Sequence, residues 1–513
     1  MHSAKTNRGA ICHSSNSAPK PVQSTRLAAA ILRGAVALAV LSAMLISARP
    51  AQAQTEQVLY NFTGTPDGQG PTSRLTFNGA NLYGTTFSGG AYGNGSVFEL
   101  APNGSGGWTE SILYSFCPAS PSCTDGANPQ LSYVTFDTAG NIYGTTTNGG
   151  ASGNGVVFKL TPSGQTWTES VAYSFSGEPD AANPINGLIF DSTGNLYGVA
   201  FSGGTGNNGA VFELSPAGAN WTEKVIANLS TTDAGLTMTS SGYIVGATTS
   251  TVFALIPNGS GGWNSDAIFT FNPADAATEG SEPNGTPWVD SAQNVYGTTT
   301  AGGKNKGGVV FKLTPVKGVY KESLLFSFGD TGAAPIAGVV LDSSGNIYGT
   351  TSAGGKNGAG IVYELKAPEG GKGYIERTIQ TFVGENGAVP YGALILDSND
   401  YLYGSTYGGG ADGNGAVFIA NPHASVTKTT CTSSQNPSTQ GQPVTFTATV
   451  TPAPPNGEPI VFEPVGQSNM VNGVATWTVS DLPVGKTTIT AVYSGDLNFV
   501  GSHSVSFAQV VDK

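Results

Sequence analysis

The stretch "GNIYGTTTNGGASGNGVVFKL", Gly140 to Leu160, is glycine at six of its 21 positions. It holds no residue suited to strong acid, base or metal chemistry. It returns as "GNLYGVAFSGGTGNNGAVFEL" from Gly194 and as "GNIYGTTSAGGKNGAGIVYEL" from Gly345. A stretch that repeats and carries no chemistry is scaffold, so the first question is what its repetition builds.

The core motif, N-[LIV]-Y-G, places glycines at Gly84, Gly144, Gly198, Gly246, Gly297, Gly349 and Gly404. Gly84 to Gly404 is 320 residues over six intervals, about 53 each, close to the period of kelch-type propeller units. The fourth copy, "GYIVGATTSTVFAL", keeps Gly246 and lacks the Gly-Gly loop. Each unit reads as four short strands. The first ends in an aspartate, as in "YVTFD" to Asp137, and a D-S-x-G-N turn follows. The second is the motif itself, the third is "GVVFKL" and the fourth is "WTESVAYSF". Four strands at this period predict a propeller blade. The motif glycine is expected where blades crowd toward the axis. The Gly-Gly pairs are expected to supply positive φ in loops.

Six fourth strands follow their third strands: "ILYSF" at Ile112, then segments at Val171, Val225, Ala267, Leu324 and Thr378. The last unit, ending "GAVFIANP", has none. Its missing strand is matched by "VLYNF", Val58 to Phe62, ahead of the first unit. The expectation is an all-β chain: a seven-bladed β-propeller over residues 55–422, with the N-terminal strand closing the last blade. Closure removes a free sheet edge. From residue 425 to 513 the glycine loops stop and alternation takes over ("PVTFTATVTP", "GVATWTVSDLP", "TTITAVYSGD"), which predicts an Ig-like β-sandwich.

Residues 1–53 read as a signal peptide. Lys5, Arg8, Lys20 and Arg26 precede an apolar run from Leu27, and "AQA" ends at Ala53. The chain is therefore expected outside the cytoplasm, secreted or at the cell surface, with no transmembrane segment after cleavage. Cleavage removes six basic and no acidic residues, leaving 15 basic against 33 acidic, a net of −18. That balance excludes nucleic acid and anionic membrane as electrostatic partners. Cys12 leaves with the leader. Cys117 and Cys123, in "CPASPSC", are expected to form a local disulfide in an oxidising compartment, with Cys431 left as a small buried hydrophobe.

The repeated unit resembles the GloVer tandem repeat of secreted bacterial proteins, and "DSSGNIYGTT" also resembles NHL-type propeller repeats. "NPSTQGQPVTFTATV" and "ITAVYSGDLNFVGSHS" are similar to bacterial Ig-like domains. The first resemblance implies export and no particular activity. The second implies a stalk, spacer or adhesive module.

The four histidines are His2, His13, His423 and His503, so none falls within 55–422. That excludes histidine-ligated metal sites and Ser-His catalysis there. No cofactor and no metal are expected. Asp137, Asp191, Asp290, Asp342 and Asp397 recur at the turn and read as structural. The irregular positions lie in blade-to-blade and glycine loops, which share one face of a propeller. There Asp125, Asp180, Lys304, Lys306 and Lys356 are the candidate ligand contacts. Trp108, Trp167, Trp221 and Trp263 recur at the starts of fourth strands and read as blade packing. The leading expectation is a non-catalytic binding or surface-interaction protein whose partner is an extracellular polysaccharide or protein. The alternatives are a glycan-active hydrolase or lyase using loop carboxylates, and a purely structural surface component.

Overall fold

The computed structural model describes residues 56–513, apart from 105, 219, 231, 233, 330 and 369–372. The leader, its cleavage near Ala53 and Cys12 lie outside the described residues.

The described residues are all-β, with one short helix, Ala276–Glu279, and one 3-10 turn, Pro273–Asp275. It builds a succession of antiparallel, mostly four-stranded, propeller-like sheets. In the second sheet, for example, Thr135–Phe136, Ile142–Thr146, Val156–Ser163 and Thr166–Ser174 pair in sequence order. The burial pattern explains the order. The second strand is buried along its whole length, and the fourth alternates between half-buried and exposed residues. The second strand therefore faces protein on both sides, and the fourth lies at the rim.

The sheet containing Ile395–Leu396, Leu402–Thr406 and Ala416–Ala420 takes its outer strand from the other end of the chain. Glu56–Asn61 pairs antiparallel with Ala416–Ala420. The register shows that this is a fourth strand in every detail. In the second sheet Phe158 faces Val171 and Val157 faces Tyr173, so Ala172 is an extra, bulged residue. In the last sheet Phe418 faces Val58 and Val417 faces Tyr60, so Leu59 is the extra residue at the same place.

Buried clusters form between consecutive sheets. Tyr143 and Val157 of the second sheet pack with Leu188 and Phe212 of the third. Leu59, Phe62 and Val417 of the last sheet pack with Leu75 and Phe98 of the first. Six of the seven fourth strands end in a buried phenylalanine against an aromatic of the next sheet, the exception being the unit that ends at Leu229. Phe116 lies 5.1 Å from Phe158, Phe175 4.9 Å from Phe212, and Phe62 5.1 Å from Phe98. Hydroxyls add polar ties of the same period. Thr85 Oγ1 donates to Ser132 O at 2.8 Å and Thr145 Oγ1 to Asn186 O at 2.7 Å. Ser405 Oγ of the last sheet donates to Ser73 O of the first at 3.0 Å.

The motif glycine has a different reason from the crowding toward the axis expected of it. A Cβ on Gly144 would lie 2.5 Å from Phe158 Cζ, and one on Gly198 2.3 Å from Phe212 Cζ. The space is taken by the third-strand aromatic directly opposite in the same sheet, at Phe158↔Gly144. The motif tyrosine fills the gap between sheets and its hydroxyl reaches the turn. Tyr197 donates to Asp191 Oδ2 at 3.0 Å and Tyr348 to Asp342 Oδ2 at 3.0 Å. The first unit has Asn78 in place of the aspartate, and Tyr83 donates instead to Glu99 Oε1 at 2.6 Å. The tryptophans also pack between sheets: Trp221 on Tyr143 and Trp263 on Tyr197.

The C-terminal residues form a two-layer β-sandwich. One layer holds Lys428–Ser433, Val444–Thr451 and Val474–Val479. The other holds Pro459–Glu463, Gly485–Gly495 and Phe499–His503, joined by shorter strands. Val444, Phe446, Phe462, Ile489 and Tyr493 are the centre of its core, with half-buried Cys431 packed against it. Asn498 docks this module onto the last propeller-like sheet. Its Oδ1 accepts from Tyr401 Oη and from Asn421 Nδ2, each at 3.1 Å.

Candidate functional site

The loops entering each sheet meet the glycine loops between second and third strands. Gly149 and Gly150 mark one such junction. Gly150 N donates to Cys123 O at 2.9 Å, and a Cβ on Gly149, at φ +80°, would lie 2.4 Å from that oxygen. Only glycine has both the conformation and the clearance. The two loop sets thus form one continuous face.

On this face Asp125 and Asp180 brace loops. Asp125 Oδ2 accepts from Tyr114 Oη at 2.9 Å and from Cys117 N at 2.8 Å. Asp180 Oδ2 accepts from Tyr173 Oη at 3.1 Å, Ser176 N at 2.7 Å and Ser176 Oγ at 2.9 Å, while Oδ1 accepts from Ala181 N at 2.7 Å. Asp67 repeats the arrangement with Tyr60 and Thr63. Three sheets use the same device, so these aspartates are part of the repeat although the surrounding loop sequences differ. Cys117 and Cys123 are disulfide-bonded in the loop that Asp125 braces. Lys304, Lys306 and Lys356 are exposed on their glycine loops. The five candidates are therefore dispersed along the face rather than gathered into one pocket.

Four glutamates of the T-E/K-E position, on outer strands, behave differently from solvent carboxylates. Burial, then the nearby Asp67 charge, pushes Glu110 up to about 7. The same causes raise Glu169 to about 7 beside Asp125, and Glu223 to about 8 beside Asp180. Glu322 rises to about 7 through burial and Glu279. An Oε1 of each is buried without a hydrogen-bond partner. Two acids close enough for the pKa of one to be raised are a feature of many catalytic pairs, but this arrangement recurs on four outer strands. Repetition marks it as architecture.

Beside a shallow, polar hollow at the Cys123 and Gly149 junction, the loop face has an aromatic-lined cavity of about 500 Å³. Phe87, Tyr391 and Tyr407 line it together with Gln130, Asn284 and Thr300. Tyr407 is 45% exposed and meets Tyr391 edge-on, with ring centroids 5.7 Å apart. Phe87 and Tyr407 occupy one position of the repeat, directly after N-[LIV]-Y-G-x-x, where other units carry Thr147, Phe201, Thr300 and Ser352. Sequence reasoning centred on charge passed over these aromatics. Their signal was the break in the repeat, a large ring where most units have a hydroxyl.

The Gloeobacter/Verrucomicrobia repeat family model matches residues 105–275 and 237–449, and the bacterial Ig-like domain (group 3) model matches 431–512. No curated protein matches the chain. Among solved structures, the chain is similar to the extracellular domain of a one-component system from B. thetaiotaomicron, at 11% identity and a TM-score of 0.47. That match covers 89% of this chain and 59% of the other, so the chain spans less than two thirds of it. It is also similar to a catalytically inactive virginiamycin B lyase from Staphylococcus aureus, at 15% identity and a TM-score of 0.45, over 71% of this chain and 98% of that one.

Proposed function

The chain belongs to the Gloeobacter/Verrucomicrobia repeat family, and from that premise we propose that it is a secreted, non-catalytic binding protein. Its leader is residues 1–53. Its ligand-binding part is a closed seven-bladed propeller over 55–422, and its Ig-like domain over 425–513 serves as spacer or adhesive module. The observation that carries the reading is the loop-face cavity, in which aromatic rings stand beside amide and hydroxyl groups. Rings that stack on sugar faces and neutral groups that bond to sugar hydroxyls are the usual furniture of a polysaccharide site. Lys304, Lys306 and Lys356 extend this face outward as contacts for a polysaccharide or protein partner. Asp125 and Asp180 serve it indirectly, by holding the loops.

The rival reading, a glycan-active hydrolase or lyase, needs two carboxyl groups facing each other across an open cleft. What speaks for the binding reading instead is that the loop aspartates are committed to repeated hydrogen bonds and the acid pairs recur on four outer strands. A glycan array on the exported chain, with a reducing-sugar assay on every glycan retained, separates the two. Retention without product, lost in Tyr407→Ala, supports binding. Product release overturns it.

A further inference from the structure

Below the loop-face cavity lies a second one, of about 450 Å³, lined by the first strands of the successive sheets. Thr72, Leu131, Asn284, Ile336 and Tyr391 line both, so the upper cavity is the mouth of the lower. Among the described residues, Arg74 is the one charged residue lining the lower cavity.

Arg74 breaks the repeat. The fourth residue before the turn-opening position (Asp137, Asp342 and their counterparts) is Gly187, Gly235, Gly338, Ala393 or Thr286 in five units. Close approach of neighbouring strands explains the small side chains: a Cβ on Gly338 would lie 2.3 Å from Thr286 O. Only the first two units carry large residues there, Arg74 and Tyr133, and the two stack. The guanidinium carbon of Arg74 lies 4.3 Å from the Tyr133 ring centroid. That stacking fixes the plane of the guanidinium without neutralising it. Arg74 Nε is buried with no hydrogen-bond partner, and no carboxylate among the described residues forms an ion pair with the side chain. Arg74 is half-buried, and a buried N–H such as its Nε is almost always satisfied in a finished site. In a chain as acidic as this one, a half-buried arginine in an open cavity, with no carboxylate partner among the described residues, is an unfilled half of an ion pair.

We propose that the lower cavity is an anion subsite in which Arg74 receives the carboxylate of a uronate residue, the end of an acidic polysaccharide entering through the aromatic mouth. The planar fork of a guanidinium matches a carboxylate in two parallel hydrogen bonds. The walls of the cavity focus the field of the charge and strengthen the pair relative to one on a flat surface. The sugar part of this assignment rests on the loop-face reading; the carboxylate part rests on Arg74 alone.

Calorimetric titration with an oligogalacturonate and with its neutral methyl ester isolates the carboxylate from the sugar. The acid binds the native chain more tightly than the ester by about 10- to 100-fold, the range of one charge-assisted pair. Arg74→Met erases that preference while leaving ester binding in place, and Arg74→Lys keeps part of it. Arg74→Met leaves the melting temperature equal to or above the native value, because it removes an unpaired charge and keeps the apolar stem. Equal binding of acid and ester by the native chain overturns the proposal and leaves the loop-face reading standing. So does a preference that survives Arg74→Met. A lower melting temperature in Arg74→Met assigns Arg74 a structural role and overturns the subsite. Binding of neither saccharide overturns it too, and the wider glycan array then decides the loop-face reading. Arg74-dependent binding of a peptide with a free C-terminal carboxylate, with neither saccharide bound, overturns the uronate assignment.

Discussion

Phe62→Ala tests whether the N-terminal strand closes the array or merely lies against it. Phe62 is fully buried and sits edge-on to Tyr60 and Phe98, each at a centroid distance of 5.1 Å. Truncating a buried phenylalanine to alanine costs about 3–5 kcal/mol through lost transfer energy and the cavity left behind. Phe175 is its counterpart in mid-chain, equally buried, with its ring 4.9 Å from Phe212. In a closed ring every junction is equivalent, so Phe62→Ala and Phe175→Ala lose similar amounts. In an open array the first described strand would be a fraying terminus, and its loss would cost about 1 kcal/mol or less. Urea unfolding of both variants, with calorimetry to resolve the Ig-like transition, measures the pair. A Phe62→Ala variant within about 1 kcal/mol of native, beside a Phe175→Ala variant that loses about 3–5 kcal/mol, refutes closure.

Two further outcomes follow from the repeat. Glu110, Glu169, Glu223 and Glu322 have folded pKa values of about 7, 7, 8 and 7 against an ordinary 4.5. The unfolded chain therefore releases these protons first as pH rises. Their favourable contribution is intact below pH 4.5 and is lost between there and about pH 8. Partial solvent exposure limits each to roughly 1 kcal/mol. Thermal melts from pH 4.5 to 8 fall more steeply for the native chain than for Glu110→Gln/Glu223→Gln, and identical profiles contradict the assignment. Separately, Gly144→Ala drives a methyl to 2.5 Å from Phe158 Cζ and destabilises by about 1–3 kcal/mol in urea unfolding. Adding Phe158→Leu restores part of the loss, and no restoration contradicts the pairing.

Much of the scaffold was legible because period and composition express it directly. The missing fourth strand of the last unit and the surplus "VLYNF" identified the β-strand pairing of Val58 with Phe418. The reason for the motif glycine was not legible, since it depends on a ring fourteen residues later folding back over the second strand, as Phe158 does over Gly144. Asp125 and Asp180 read as irregular because the surrounding loops differ in length and composition. Their shared role shows only in the tyrosine and amide partners that three-dimensional structure supplies. The mouth aromatics and Arg74 were in plain view, each standing where most units have something smaller. A search for charge favoured the loop lysines, while departure from the repeat is the sharper guide in a chain built from copies.

The central claim is that the loop face binds and does not transform its ligand. It is tested most directly by incubating the exported chain with a panel of polysaccharides and measuring retention and product in the same samples. The account predicts that at least one polysaccharide is retained, that Phe87→Ala and Tyr407→Ala each weaken retention by about tenfold, as expected for the loss of one stacking contact, and that no new chain ends form. New reducing or unsaturated ends, or retention indifferent to both substitutions, would contradict it.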